Sequence, residues 1–93
     1  MEETLLRYVV LWKNGTVLSF DQESNPLAEF TGTFNEVKDR IDEESDADTV
    51  WLVGGWRGRG HRVLREDWFK GLRMPPPPNP PIKFADFGIK VNM

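Results

Sequence analysis

The chain has no cysteine, so disulfide staples and thiolate metal sites are excluded and the fold must close on packing alone. It has a single histidine, His61, and few serines. Nothing in the sequence pairs His61 with a nucleophile or an orienting carboxylate, so the expectation is a non-enzymatic protein without cofactor or metal. No apolar run near the start is long enough to read as a secretory leader or a membrane span. Without a secretory signal, the Asn14-Gly15-Thr16 sequon reads only as a turn. A cytoplasmic setting with no membrane partner is the reading that fits.

What is present is a small aromatic-rich domain. Ninety-three residues suit one core, and 39% hydrophobic content with four Trp and six Phe is too much for disorder. The net charge of -3 hides an asymmetry. Residues 1–50 carry 4 Lys/Arg against 12 Asp/Glu, whereas residues 51–93 carry 8 against 3. Either the halves attract each other in the fold, or one face awaits a charged partner.

The runs Thr4–Trp12 and Thr16–Phe20 are rich in β-branched and aromatic residues and flank Asn14-Gly15. Asn-Gly between such runs predicts a hairpin with a two-residue loop. That register pairs Leu11 with Leu18 and Val9 with Phe20. It puts these four on a core face, with Trp12, Val10 and Val17 opposite and Trp12 and Tyr8 less buried. Leu27–Phe30 reads as a short extended piece. Thr33-Phe34-Asn35-Glu36 reads as a capping box, opening a helix to Glu44 with Phe34, Val37 and Ile41 as its apolar stripe. Its other side is acidic: Glu36, Asp39, Asp42 and Glu43. Such a face is usually solvated surface, but it can also imitate a phosphate backbone and serve an inhibitory protein. The run Glu43–Asp48 lacks the glycine and the distal Glu of a calcium loop.

Thr49–Val53 predicts a third strand, followed by Gly54-Gly55-Trp56-Arg57-Gly58-Arg59-Gly60. Gly60 is followed by His61-Arg62, not Lys-Ser/Thr, so this is no P-loop, and the dinucleotide G-x-G-x-x-G pattern is not matched. Two readings remain. Arg57, Arg59, Arg62 and Arg65 interleaved with Trp56 and His61 suit phosphate contact and base stacking. Alternatively the stretch is a β-hairpin with His61, Val63 and Arg65 on one face, Arg62 and Leu64 on the other, and its arginines neutralising the acidic half. A sequence pI near 5.1 weighs against a dedicated nucleic-acid binder. Glu66–Leu72 reads as a single helical turn, with Trp68, Phe69 and Leu72 sealing the sheet edge or, for Trp68, anchoring a partner.

Pro75–Pro81 must be extended polyproline II, a stiff spacer that also fits a loose PxxP ligand pattern. Ile82–Val91 follows as a late strand whose apolar parity resets near Ala85-Asp86, as at a bulge. It either joins the home sheet or adds to a partner's.

The expectation is an α+β domain over residues 1–74, a spacer at 75–81 and a C-terminal strand or tail at 82–93. Its small antiparallel sheet starts with a hairpin, and one amphipathic helix packs on one face (ββαββ plus the C-terminal strand). In composition alone the chain resembles small accessory proteins of phages and other mobile elements. The function that fits is binding of another protein, as adaptor or inhibitor. The residues expected to carry it are Trp56, Arg57, Arg59, His61, Arg62 and Trp68, with the acidic helix face as a second surface. Nucleic-acid binding through residues 54–65 is the alternative. Self-association through the C-terminal strand is a third.

Overall fold

The computed structural model describes residues 5–56, 59–71 and 81–87, without the side chains of residues 55, 56, 86 and 87. Among the described residues six strands and two α-helices follow in order: β1 (Tyr8–Trp12), β2 (Thr16–Phe20), β3 (Gly32–Thr33), α1 (Phe34–Glu44), β4 (Val50–Trp56), β5 (Arg59–Arg62), α2 (Arg65–Trp68) and β6 (Ile82–Lys83). They form one sheet in the order β3-β2-β1-β4-β5-β6, with α1 as its main helix, so the α+β class stands.

The sheet is mixed rather than wholly antiparallel. The central ladder, β1 with β4, is parallel and pairs Tyr8 with Val50 through Trp12 with Gly54. The cause is the crossover between them. With 11 residues α1 spans about 16 Å, close to the length of a five-residue strand, so it returns the chain to the end at which β1 began.

The first hairpin differs from the expected register by one residue. Tyr8 pairs with Phe20 and Leu11 with Val17, which leaves Lys13, Asn14 and Gly15 as a three-residue loop. Gly15 N–H donates to Trp12 O at 2.9 Å, and Gly15 alone in the loop has a positive φ, 89°. Asn14 instead accepts from Thr16 N–H through Oδ1 at 3.0 Å. This is a turn closed by a left-handed glycine, not one with both central residues left-handed. A slip of one residue exchanges the faces of β2. Val17 joins Val9 and Leu11 beneath α1, while Leu18 and Phe20 join Tyr8, Val10 and Trp12 on the far face. Trp12 is accordingly buried, at 2% exposure, and not part of a half-exposed patch.

The edge of β2 is closed by its own chain. Ser19, fully buried, donates from Oγ to Phe30 O at 2.7 Å, and Leu27 N–H donates to Ser19 O at 2.8 Å. Residues 28–30 make one 3-10 turn where an extended piece was expected.

Helix α1 has the expected ends, and Val37 and Ile41 are buried. The capping box does not form: Thr33 sits at the N-cap but makes no side-chain capping bond. Thr33 is held in β3 opposite Thr16, and the first helical N–H, that of Phe34, donates to Gly15 O at 2.9 Å. The turn of the first hairpin thus satisfies a donor the Thr hydroxyl was expected to serve.

Two apolar layers result. One lies under α1 and α2 and contains Leu6, Val9, Leu11, Ile41, Trp51 and Trp68. The other covers the opposite face with Val10, Trp12, Phe20, Leu52 and Phe84. Phe84 belongs to the C-terminal segment. There β6 pairs with β5 of the same sheet, and residues 84–87 form a 3-10 turn where a bulged, continuing strand was expected. Residues 75–80 of the spacer, 88–93 of the tail, Arg57 and Leu72 lie outside the described residues. Among the described residues no helix is long and apolar enough to cross a membrane.

Candidate functional site

The glycine-rich stretch is largely strand. β4 and β5 pair antiparallel, with Val53 opposite His61, Gly54 opposite Gly60 and Trp56 opposite Arg59, and the register shifts between Gly54 and Trp56. Glycine is required at 54 and 60 because an aromatic ring lies on the backbone. A Cβ at Gly54 would stand 2.8 Å from Cε2 and Cζ of Phe84 and 3.1 Å from Cζ3 of Trp12. One at Gly60 would collide with the Val53 carbonyl oxygen and stand 2.9 Å from Cε1 of Phe84. The group that these glycines admit is therefore a side chain of the same protein, not a ligand phosphate.

β5 ends at Arg62, short of the expected alternation through Arg65. Val63 N–H still donates to Trp51 O at 2.9 Å, and Leu64 then caps α2. Arg65 turns inward. Its guanidinium pairs with Asp42 of α1 and lies 4.9 Å from the Phe69 ring centre and 5.8 Å from that of Trp51. Here the basic half does meet the acidic half, at a half-exposed ion pair that carries little net energy by itself.

Arg59 behaves differently. It stands opposite Lys83 across the β5–β6 ladder, and both side chains are exposed. No ion pair or hydrogen bond joins either side chain to a described residue. Arg7, by contrast, donates to Asp48 O at 3.1 Å, Arg40 to Glu29 O at 3.3 Å, and Lys70 to Asp67. Like charges placed directly opposite repel and lower sheet stability. His61, half-buried, lies two residues along β5 on the same face as Arg59. Arg59, Lys83 and His61 therefore share one face at the outer edge of the sheet.

The remaining expected site residues divide. Arg62 is exposed opposite Leu52, on the other face from Arg59 and His61. Trp56 contributes its backbone to the ladder, but its side chain lies outside the described residues, as does Arg57. Trp68 is no surface anchor. It is fully buried, its Nε1 donates to Leu52 O at 3.1 Å, and it packs against Phe34, Trp51 and Phe69 at ring separations of 5.0–5.3 Å. On α1, Glu36, Asp39 and Glu43 are exposed, while Asp42 is engaged by Arg65. The acidic run after α1 builds a local turn, in which Asp46 Oδ1 accepts from Asp48 N–H at 2.8 Å.

Lys83 was not among the residues expected to carry partner binding. Its signal was weak: it has the opposite parity to Ile82 and Phe84, which marks it as outward-facing, but only the long-range pairing of β6 with β5 sets it beside Arg59. Comparison with known proteins finds no matching family model, no matching curated protein and no matching solved structure.

Proposed function

We propose that this protein is a non-enzymatic binding module, an adaptor or inhibitor that meets an acidic surface of another protein through strands β5 and β6. The observation that carries the reading is the juxtaposition of Arg59 and Lys83. Two exposed cations forced together, with no described carboxylate to offset them, raise the local potential and favour an anionic partner. Arg supplies a planar fork for a carboxylate, and Lys a mobile point charge beside it. His61 extends the same face. With Asp42 tied to Arg65, the second surface on α1 reduces to Glu36, Asp39 and Glu43.

An acidic protein is favoured over nucleic acid because the chain as a whole is acidic, with a sequence pI near 5.1, whereas a dedicated nucleic-acid binder is usually basic. The test compares wild type with Arg59→Glu/Lys83→Glu on two immobilised probes, an acidic polypeptide (poly-glutamate) and a single-stranded oligonucleotide, at about 50 and about 200 mM salt. Retention on the acidic polypeptide that is lost in the variant supports the reading. Preferential retention on the oligonucleotide, falling steeply with salt, transfers the site to nucleic acid. Equal retention of wild type and variant removes the site.

A further inference from the structure

The C-terminal segment 82–87 is attached to the fold like a docked peptide. Its ladder with β5 is two residues long, Ile82 opposite Gly60 and Lys83 opposite Arg59, and the second of these pairs sets like charges together. That ladder alone is a weak hold. The strong hold is Phe84. Its side chain is fully buried, lies over Gly54 and Gly60, and meets Trp12 edge-on at 5.5 Å and 87°. The groove residues that meet Phe84 come from β1, β4 and β5, and the occupant from a separate stretch of chain.

The sequence between them has an unusual composition: six of the seven residues Pro75–Pro81 are proline. Proline fixes φ and carries no N–H, so this stretch can neither add to a ladder nor collapse readily. Residues 75–81 in an extended polyproline form would reach about 22 Å, comparable with the 22 Å shortest extent of the fold. An arm of that length is long enough to carry segment 82–87 onto a neighbouring molecule. Exchange between copies keeps every contact of the segment and changes only which chain delivers it.

We infer that the groove over Gly54 and Gly60 is a docking site for segment 82–87 of a second copy of this chain, so that the protein forms dimers by exchange of its C-terminal segments. This stands apart from the Arg59–Lys83 reading, since Phe84 and the two glycines lie on the opposite face of the sheet.

The experiment uses full-length variants. Phe84→Ala keeps the groove and removes the anchor; Gly60→Val keeps the anchor and blocks the groove. Circular dichroism checks that each folds. Mixed after co-refolding, they are expected to give a one-to-one heterodimer by native mass spectrometry, while neither alone forms one by exchange. In parallel, a labelled peptide of residues 80–87 is titrated into wild type and Phe84→Ala. The vacated groove is expected to bind it at least about tenfold more tightly than the filled one. A folded Phe84→Ala that takes up neither the peptide nor the segment of its partner variant overturns the proposal. If Gly60→Val fails to fold, wild type refolded at rising concentration replaces it. A dimer fraction that grows there and is lost in Phe84→Ala supports exchange, and a wild type that stays monomeric overturns it. Peptide binding by Phe84→Ala without any dimer in wild type or mixture also overturns exchange, and leaves a groove that serves its own chain alone.

Discussion

The backbone N–H of Phe34, the first residue of α1, donates to the carbonyl of Gly15 in the turn between β1 and β2 at 2.9 Å. The loop that reverses the hairpin is therefore also the cap of the helix, and its conformation sets both. Gly15 has φ 89° and open space around its missing Cβ. Replacing it with Ala introduces backbone strain and no clash, an expected loss of about 1–2 kcal/mol by chemical denaturation. Thr33→Ala, at the helix N-cap, is expected to cost well under the roughly 1 kcal/mol usual for removing a capping hydroxyl, because no such bond exists here. A large loss at Thr33 with little at Gly15 would reverse the assignment of the cap.

Trp68 is the centre of the helix-side core. Trp68→Phe keeps most of the ring packing but leaves the buried Leu52 carbonyl without the indole donor now at 3.1 Å. The expected cost is about 1–3 kcal/mol. Trp68→Ala adds a cavity and is expected to cost about 3–5 kcal/mol or more, enough to unfold a marginal domain of this size. If Trp68→Ala folded with wild-type stability and lost only partner binding, Trp68 would be a surface anchor after all.

How far the sequence could be read depended on whether the signal was local. The amphipathic stripe Phe34-Val37-Ile41 located α1, because helical periodicity is written within one segment, although the capping box read at its start does not form. The Asn-Gly turn located the hairpin but not its register. A two-residue and a three-residue loop both place Gly15 where a positive φ is needed, and they differ only in the sign of φ at Asn14. The parallel pairing of β1 with β4 could be reached only by following the chain over α1. Gly54 and Gly60 are needed for a close approach, but the approaching group, Phe84, is 24 residues or more away. The partners of the arginines were equally non-local. Arg65 and Arg59 look alike in the sequence, and only the fold ties one to Asp42 and leaves the other beside Lys83.

Asp21 organises the loop after β2. Its carboxylate accepts from the backbone N–H groups of Asn25 and Glu23, both at 2.8 Å, and from Asn25 Nδ2. The Asn25 backbone bond is the main cause that holds its pKa below the ordinary 3.8; desolvation opposes it, and the bonds from Asn25 Nδ2 and the Glu23 backbone add to it. A carboxylate with a depressed folded-state pKa stabilises the fold above its unfolded pKa, and that stability is lost as pH falls through the folded value. Acid should therefore loosen residues 21–25 below about pH 4, and Asp21→Asn should flatten that dependence. A carboxylate NMR titration checks it directly: a midpoint at or above 3.8 would contradict the hydrogen-bonded turn.

The pairing of Arg59 with Lys83 separates stability from binding. If the two cations face each other without a described partner, the fold would be steadier with one of them reversed. Lys83→Glu replaces a repulsive cross-strand pair with an attractive one, an expected gain of about 0.2–1 kcal/mol that shrinks with added salt. The same change should weaken any interaction with an acidic partner, because it cancels the net positive charge of the pair and leaves Arg59 engaged in cis. Lys83→Gln removes the repulsion without supplying a new partner and should fall between the two in both measurements. Denaturant titration of the three proteins at low and high salt reads the stability, and retention on the acidic probe reads the binding. Opposite trends in the two series are expected of a site held ready for an anion. A Lys83→Glu protein less stable than wild type at low salt would mean that Lys83 already has an acidic neighbour in its own chain, and the edge would then have no unbalanced charge to offer.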